Sequence, residues 1–273
     1  MASGIRFAHI SDLHILAGSA LQYGIDTAAV LRAAVDRLNR LRPDFVVASG
    51  DLISDESEAS CRRIQGLIQP LERPIHFLMG NHDARPAFRR VFRPEETADD
   101  RPVTEAFSAG GIRCLLLDSS LPGKEGGALG AAQLAWLAGA LAEATEPVWI
   151  LLHHQPLPIH VAWLDRIGLQ DANGFLRVVA GHPRLAGVCY GHVHQPRSWR
   201  YDGALYLGVP ALSFQFSAVS QTMAIGEEAP AFRLIEITGA HTRRTLHFLD
   251  GRAVTEPDLL ALPIYVRGSR LAD

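Results

Sequence analysis

The feature that most constrains the fold of this chain is an alternation of short apolar runs with helix-period segments. Ile5–Ile10, 45–48 and 75–79 are predicted strands, and Asp26 is a suitable N-cap for a helix over Thr27–Leu41. The continuous apolar run 45–48 is typical of a strand that is buried on both faces. This alternation indicates βαβ units, a largely parallel sheet and therefore an α/β fold.

The pattern continues to about residue 190 and then changes. Further helices are predicted over 56–68, 85–91, 130–144 and 173–180, and further strands over 113–117, 148–152 and 187–190. The last quarter contains a predicted hairpin, 199–201 and 204–207 around Asp202-Gly203, and two more strands, 232–237 and 242–249. These favour a second, more antiparallel sheet. We expect one domain over residues 1–250, followed by a tail, 251–273, that is a surface tail, an arm or a dimer contact.

Composition excludes several classes of protein. Of 273 residues, 48% are hydrophobic and 20% charged, which excludes a disordered chain. The net charge of −3 argues against a nucleic-acid clamp or a polybasic membrane surface. The start of the chain lacks a signal-peptide pattern, and no apolar stretch approaches the roughly 20 residues of a membrane span. The three cysteines are scattered, as in a reducing compartment, so we expect a cytoplasmic protein.

Five short polar motifs each follow a predicted strand, at the point where the strand ends. They are Asp12-Leu13-His14, Gly50-Asp51, Gly80-Asn81-His82-Asp83, His153-His154 and Gly191-His192-Val193-His194. In open α/β sheets, ligands bind beyond the carboxyl ends of the strands. We therefore expect distant parts of the chain to deliver these side chains to one crevice.

The residue types in these motifs are those of a metal site. Aspartate, histidine and asparagine without cysteine suit Fe, Mn, Zn or Co. In Asp-x-His and His-x-His, alternate residues point to the same side of an extended segment and can face one metal cluster. Glycines before Asp51, Asn81 and His192 let the backbone turn sharply and approach closely. Each motif alone is more often a turn, but five in order after strands predict a metal centre.

As a set, these motifs resemble those of the calcineurin-like metallophosphoesterase family, over a span from Asp12 to His194. Within that family, the stretches 153–158, 173–174 and 213–216 resemble the bacterial class III cyclic-nucleotide phosphodiesterases. Bacterial glycerophosphodiesterases of the same branch look almost as similar. The resemblance implies a four-layer αββα sandwich, in which two mixed β-sheets pack face to face with helices outside.

The resemblance also implies residues for each role at a centre of two metal ions. One ion would be held by Asp12, His14, Asp51 and His194, and the other by Asp51, Asn81, His153 and His192, with Asp51 as the bridge. His82 would stand beside the phosphate, which makes His82, Asn81 and Asp51 the candidate catalytic residues. The candidate substrate-binding residues are Asn81, His82 and His154, although His154 is equally a support for its neighbour.

The implied activity is hydrolysis of a phosphodiester by a hydroxide that bridges the two metals, with 3′,5′-cyclic AMP as the first choice of substrate. A glycerophosphodiesterase or a broad-specificity phosphodiesterase is the alternative, and loops 16–26, 157–172 and 213–221 would distinguish them. A metal-dependent binding or regulatory protein with weak catalysis is an alternative of another class, against which the complete ligand set argues. A nuclease subunit would need a basic groove. The expected partner is a small phosphodiester, and a homodimer is an open option.

Several other residues have structural explanations. His9 and His76 lie inside predicted strands and are expected in the core, whereas Asp83 is expected to fix its loop. Aromatic residues near Trp163, Phe214 and Phe216 either stack on a nucleobase or pack as core. The remaining histidines are expected at the surface; they are His160, His182, His241 and His247.

Overall fold

A computed structural model describes residues 4–96 and 99–256. In these ranges the chain forms two six-stranded mixed sheets with helices on their outer faces. The predicted four-layer αββα sandwich is therefore confirmed. Three apolar clusters separate the four layers: one lies between the sheets, and one lies between each sheet and its helices.

The first sheet is built around three parallel strands from the start of the chain. In chain order, its strands are β1 (Ile5–Ile10), β2 (Phe45–Ser49), β3 (Ile75–Leu78), β10 (Ala231–Thr238), β11 (His241–Phe248) and β12 (Ala253–Thr255). Their spatial order is β12-β11-β10-β1-β2-β3, and β10 pairs antiparallel with β1. Its helices are α1 (Thr27–Leu41), α2 (Glu58–Ile68) and α3 (Arg85–Phe92).

The second sheet has a parallel centre and an antiparallel strand at each edge. Its strands are β4 (Glu105–Ala109), β5 (Ile112–Leu116), β6 (Val148–Leu152), β7 (Leu185–Tyr190), β8 (Arg197–Tyr201) and β9 (Ala204–Gly208). They are ordered β4-β5-β6-β7-β9-β8. Its helices are α4 (Gly130–Ala142), α5 (Ala162–Arg166) and α6 (Ala172–Val179).

Aromatic packing joins the two sheets. The ring of Phe7 stacks on that of Phe45 in the same sheet at 5.1 Å, and meets the edge of Trp149 from the other sheet at 5.4 Å. All three side chains are almost fully buried. Burying one such side chain stabilises a fold by about 1.5–3 kcal/mol, so this contact helps to fix how the sheets sit on each other.

The expectation of a separate antiparallel sheet in the last quarter is wrong. The hairpin β8–β9 extends the second sheet through a parallel pairing of β9 with β7, whereas β10 and β11 extend the first sheet beside β1. A two-stranded hairpin is only marginally stable alone, and an open sheet edge offers it partners. Each hairpin is therefore absorbed by the edge of a parallel sheet that already exists.

Apart from β12, two further elements were missed by the sequence analysis. The strand β4 has the sequence Glu-Ala-Phe-Ser-Ala, in which Glu105 and Ser108 interrupt the apolar pattern, and it pairs antiparallel with β5. The helix α5 has five residues, which is too short for a periodic pattern. None of the helices within the described ranges is long and apolar enough to span a membrane.

The beginning of the segment predicted as a tail is joined to the first sheet. The strand β12 pairs antiparallel with β11, and Glu256 forms an ion pair with Arg233, whose side chain is fully buried. Arg233 also donates to the backbone oxygen of Gly208 at 2.7 Å, in the second sheet. Residues 257–273, on which most of the predicted arm or dimer contact falls, lie outside the described residues.

Candidate metal centre

The loops that follow β1, β2 and β7 bring two aspartates and two histidines together. The metal-binding atoms of Asp12, His14, Asp51 and His194 all lie within 4.8 Å of one another, and all four residues are buried. The backbone holds two of these loops side by side, because the nitrogens of Asp12 and His14 donate to the oxygens of Gly50 and Asp51, each at 3.0 Å. These four residues are the set predicted for the first metal.

A second group adjoins the first through Asp51. The nitrogens of His153, His154 and His192 lie within 4.8 Å of one another and form this group, although His154 was not predicted as a metal ligand. The Nε2 atom of His153 lies 3.4 Å from Asp51 Oδ1. The other carboxylate oxygen, Oδ2, lies 3.7 Å from the Nε2 atom of His14 in the first group. Asp51 thus presents one oxygen to each group, which is the arrangement that a bridging carboxylate requires.

Five of the predicted metal ligands have the left-handed backbone conformation. Their φ angles lie between 47° and 65°, and they are Asp12, His14, Asp51, His192 and His194. For residues other than glycine this conformation costs about 1–3 kcal/mol each and clusters at functional sites. Such a concentration of strain at one end of the sandwich indicates that the side-chain directions, rather than folding alone, determine these turns.

Glycines let the β2 and β3 loops meet behind the site. A Cβ atom on Gly80 would lie 2.2 Å from Asp51 Oδ1, and one on Gly50 would lie 2.5 Å from the backbone nitrogen of Gly80. Gly50 also has a φ of +94°. Any side chain at these two positions would displace Asp51 or the neighbouring backbone, so the predicted need for glycine there is explained by close approach.

Three buried polar atoms at this centre have no hydrogen-bond partner. They are Oδ1 of Asn81, Nε2 of His153 and Nε2 of His192, all from the set predicted for the second metal. Buried polar atoms without a partner are rare because they cost free energy. Together with the two nearby carboxylates, these oxygen and imidazole donors fit a pair of transition-metal ions.

Hydrogen bonds fix which nitrogen each histidine presents. His153 donates from Nδ1 to the backbone oxygen of Ser49 at 2.8 Å, and His194 donates from Nδ1 to the backbone oxygen of Phe214 at 2.6 Å. Because a carbonyl oxygen only accepts, Nδ1 carries the proton in both rings. The Nε2 atoms are therefore aimed at the centre, as in metal sites whose ligands are oriented by outer hydrogen bonds.

Burial and neighbouring charges shift the pKa values of the buried aspartates and histidines in opposite directions. Burial opposes ionisation of Asp51, but the neighbouring His153 holds the pKa of Asp51 well below its usual value. Burial, the largest single effect, lowers the pKa of His153, but the charge and hydrogen bond of Asp51, the charge of Asp12 and the hydrogen bond to Ser49 together raise it to about 9. Burial also lowers the pKa of His14 to about 3 and that of His192 well below its usual value. His14 and His192 are thus neutral at pH 7, the form that binds metals.

His82 and His154, the two candidate substrate-binding residues that are not predicted metal ligands, occupy different positions. His82 lines the cleft above the ligands, with its ring edge-on to that of His14 at 5.0 Å. His154 is fully buried, with Nδ1 2.8 Å from the hydroxyl of Ser119 and Nε2 3.0 Å from the backbone oxygen of Glu125. Its ring also lies 4.6 Å from that of His192.

Asp83 fixes its loop, as predicted. Its carboxylate accepts hydrogen bonds from the backbone nitrogens of Leu52, Ile53 and Gly80 at 2.8–3.2 Å. Burial and the charge of Asp51 raise the pKa of Asp83 to about 7. These contacts join the β2 and β3 loops.

The other histidines mostly follow expectation. His9 is buried, with Nε2 2.7 Å from the Ser49 hydroxyl, whereas His76 is only half-buried in the edge strand β3 and lies 2.6 Å from Glu105. The expected surface position of His247 is wrong, because β11 turns this ring inward to stack on Phe232 at 5.4 Å.

Sequence reasoning missed the serines that support the ligands. Ser49 supplies its backbone oxygen to His153, and the Ser54 hydroxyl lies 3.0 Å from Nδ1 of His14. Ser119 plays the same part beside His154. The available signal was a serine at the end of an apolar strand, directly before Gly50-Asp51, but such a serine identifies no partner until the sheets are assembled.

A cleft of about 320 Å³ opens onto this centre. Five of the predicted ligands line it together with His82, and they are His14, Asp51, Asn81, His192 and His194. The remaining lining residues are mostly apolar or uncharged and include Gln22, Tyr23, Leu164, Phe214, Phe216 and Met223, but the exposed carboxylate of Glu125 also lines the cleft. Aromatic and apolar side chains thus adjoin the ligand atoms within one cleft.

Comparison with known proteins supports the geometry. The sequence pattern of the calcineurin-like phosphoesterase family matches residues 5–196. This chain belongs to that family. The family is hydrolytic and metal-dependent, so the chain is a metal-dependent phosphoesterase with a centre of two metal ions.

Members of the family with curated names cover most of the chain. A 3′,5′-cyclic-nucleotide phosphodiesterase of Nostoc sp. is 33% identical over 85% of this chain and 88% of its own length. The 3′,5′-cyclic adenosine monophosphate phosphodiesterase CpdA of Escherichia coli strain K12 is 31% identical over 88% of each chain. A cAMP/cGMP dual specificity phosphodiesterase of Mycobacterium tuberculosis is 31% identical over 80% of this chain and 69% of its own.

Solved structures show the same fold. A dimetal phosphatase from Danio rerio superposes with a TM-score of 0.68 over 92% of this chain and 98% of its own, at 18% identity. A purple acid phosphatase from yellow lupin gives a TM-score of 0.65 over 93% of this chain and 53% of its own, at 13% identity. The family fold thus extends beyond residue 196, into the strands that complete both sheets.

Proposed function

We propose that this phosphoesterase hydrolyses 3′,5′-cyclic AMP. The observation that carries the proposal is the pair of adjoining ligand groups with the buried Asp51 between them, beside a cleft with room for a nucleotide. The substrate class follows from the relatives, which are named for cyclic nucleotides and match most of the chain.

Asp12, His14, Asp51 and His194 would hold one metal ion, and Asp51, Asn81, His153 and His192 the other. The chemistry of the donors admits Fe, Mn, Zn or Co. When bound, two such ions polarise the phosphoryl group and activate water as the nucleophile at neutral pH. With only two carboxylates among seven ligands, the loaded centre keeps a net positive charge, which attracts the phosphodiester anion.

His82 is proposed to act on the leaving group. It lines the cleft directly above the ligands, so its imidazole can donate a proton to the departing alkoxide or a hydrogen bond to a phosphoryl oxygen. Asn81, the neighbouring residue, presents a neutral oxygen that adds no negative charge to the centre. The 5′-phosphate product then leaves through the open mouth of the cleft.

His154 is proposed to support the centre rather than to touch substrate. Both of its ring nitrogens are within hydrogen-bond distance of protein atoms, and the residue has no exposed surface. Its predicted alternative role as a substrate-binding residue would require those contacts to break. A cytoplasmic location agrees with this substrate and with three buried cysteines that are free.

A substrate panel tests the proposal. Full-length protein loaded in turn with Mn²⁺, Fe²⁺, Zn²⁺ or Co²⁺ is assayed with cyclic AMP, cyclic GMP, 2′,3′-cyclic nucleotides and glycerophosphoethanolamine. The highest kcat/KM is expected for cyclic AMP. Cyclic GMP is included because the M. tuberculosis relative acts on both. Preference for glycerophosphoethanolamine would replace the proposal by the glycerophosphodiesterase alternative, and no hydrolysis of any diester would favour a binding protein.

A further inference from the structure

Exposed apolar side chains are concentrated around the cleft. Among the described residues, six large hydrophobic side chains are exposed, and five lie in the loops 16–26 and 213–225: Leu21, Tyr23, Val219, Met223 and Ile225. Of these five, Tyr23 and Met223 line the cleft above the metal centre. Clustered exposed apolar surface marks a binding site more often than it occurs by chance.

Tyr23 occupies a backbone position that does not suit it. Gln22 and Ile25 exchange two backbone hydrogen bonds of 2.9 Å around Tyr23-Gly24, and both central residues have positive φ, 47° and 83°. This is a type I′ turn, in which asparagine, aspartate or glycine is preferred. A bulky aromatic residue held there against local preference indicates a role for the ring, because sequences break local rules mainly at functional sites.

A continuous set of ring contacts joins Tyr23 to the predicted ligands. The ring of Tyr23 meets that of Phe214 edge-on at 4.5 Å, and Phe214 lies 5.0 Å from the ring of His14. On the neighbouring side, Phe216 stacks on His194 at 4.2 Å. Phe214 is buried by these contacts, whereas Tyr23 keeps 57% of its surface exposed.

We propose that Tyr23, Phe216 and Met223 form a slot for the nucleobase of the substrate, adjoining the phosphoryl site. Tyr23 offers a free ring, Phe216 a partly buried wall and Met223 a polarisable thioether. A purine is flat, uncharged and aromatic, and it gains from stacking on such side chains. This inference rests on the proposed function, because that function supplies the nucleotide substrate. It concerns binding of the nucleobase, however, and can be tested without turnover.

The test compares two ligands that differ only by the base. The dissociation constants of 5′-AMP and ribose 5-phosphate are measured by isothermal titration calorimetry on full-length Mn²⁺-loaded protein. In the wild-type protein, 5′-AMP is expected to bind about 10-fold or more tightly than ribose 5-phosphate. Tyr23→Ala should remove most of that ratio, and Met223→Ala should lower it about threefold, while ribose 5-phosphate affinity stays the same.

Two further variants control the comparison. Tyr23→Phe keeps the ring and should keep the ratio. Leu21→Ala removes an apolar side chain that is also 57% exposed, in the same loop, but outside the cleft, and should change neither constant. A ratio near one in the wild-type protein would overturn the slot. A Tyr23→Ala variant that keeps the wild-type ratio would overturn it as well. If that variant also changes from a dimer to a monomer, the surface around Tyr23 is instead a contact between two copies.

Hydrolysis of bis(p-nitrophenyl) phosphate separates this inference from the proposed function. If hydrolysis occurs but the two ligands bind equally, the slot is wrong and the phosphodiesterase stands. If 5′-AMP binds more tightly than ribose 5-phosphate but no diester is hydrolysed, the slot stands and the proposed reaction is wrong.

Discussion

His153 donates a hydrogen bond from Nδ1 to the backbone oxygen of Ser49 at 2.8 Å. His153 follows β6 of the second sheet and Ser49 ends β2 of the first, so this bond joins the two sheets at the metal centre. It also turns Nε2 toward Asp51, 3.4 Å away. The stacking of the sheets and the geometry of the site are therefore coupled, because neither half of the sandwich holds a complete ligand set.

Replacing the shared carboxylate should disable both metal sites. Asp51→Asn removes a charged oxygen from each ligand group, so we expect activity on bis(p-nitrophenyl) phosphate to fall by more than ~10²-fold. Metal content measured by mass spectrometry should fall as well. A variant with near-normal turnover and two metals per chain would show that Asp51 does not bridge.

Replacing His82 should separate catalysis from metal binding. His82→Ala leaves all seven predicted ligands in place, and we expect full metal content with turnover slowed roughly 10²–10⁴-fold. Loss of a metal in this variant would instead identify His82 as a ligand.

The contact between Ser54 and His14 should tune metal affinity. Ser54→Ala removes the hydroxyl 3.0 Å from His14 Nδ1, and loss of such an orienting group costs roughly 10–100-fold in metal affinity. Ser60→Ala is a matched control, since this buried hydroxyl bonds only to Asp55 and Ser57, away from the ligands. Competition with a fluorescent chelator measures the metal affinity of both variants and of the wild-type protein. If Ser54→Ala binds metal as tightly as the wild-type protein, packing alone orients His14.

The ion pair between Arg233 and Glu256 should stabilise the fold. Arg233 is fully buried, and the Glu256 side chain is only 12% exposed, so Glu256→Gln leaves a buried charge without its counter-charge. We expect a loss of roughly 3 kcal/mol in the free energy of unfolding, measured in urea. Glu228→Gln, which breaks an exposed pair with Arg252, should change it little. Similar effects of the two variants would contradict a structural role for residue 256.

Acid should weaken one contact remote from the metal centre. Burial opposes ionisation of Glu105, but hydrogen bonding to His76 and the charge of Arg93 lower its pKa below the usual 4.5. A lowered folded-state pKa gives stability that is present above the unfolded value and is lost as pH falls through the folded one. Metal-free Glu105→Gln should thus be less stable than the metal-free wild-type protein at pH 7.

The difference in stability between the two proteins should narrow as pH falls below the usual glutamate pKa of 4.5, as chemical denaturation at several pH values would show. A constant difference over that range would mean that packing, rather than charge, explains the effect of the substitution.

Most of the parallel core was predictable from local pattern. The bounds of β1, α1 and β6 are those expected from apolar runs and from the Asp26 cap, whose side chain accepts from Ala29 at 2.9 Å. Such elements follow from short-range periodicity and capping. The division of the strands between two sheets was not predictable, because β3 and β5 read alike along the chain and only packing decides whether they are neighbours.

The ligand types, their order and their places after strands are properties of the sequence alone, since Asp-x-His, Gly-Asp and Gly-His-x-His are local patterns that folding does not alter. The tertiary structure decided everything that depends on distance between remote segments: the two oxygens of Asp51 that face different histidines, the carbonyl that orients His153, and the aromatic contacts around Tyr23. Sequence spacing carries no information on these contacts, because they form across two sheets whose stacking results from the burial of side chains scattered through the whole chain.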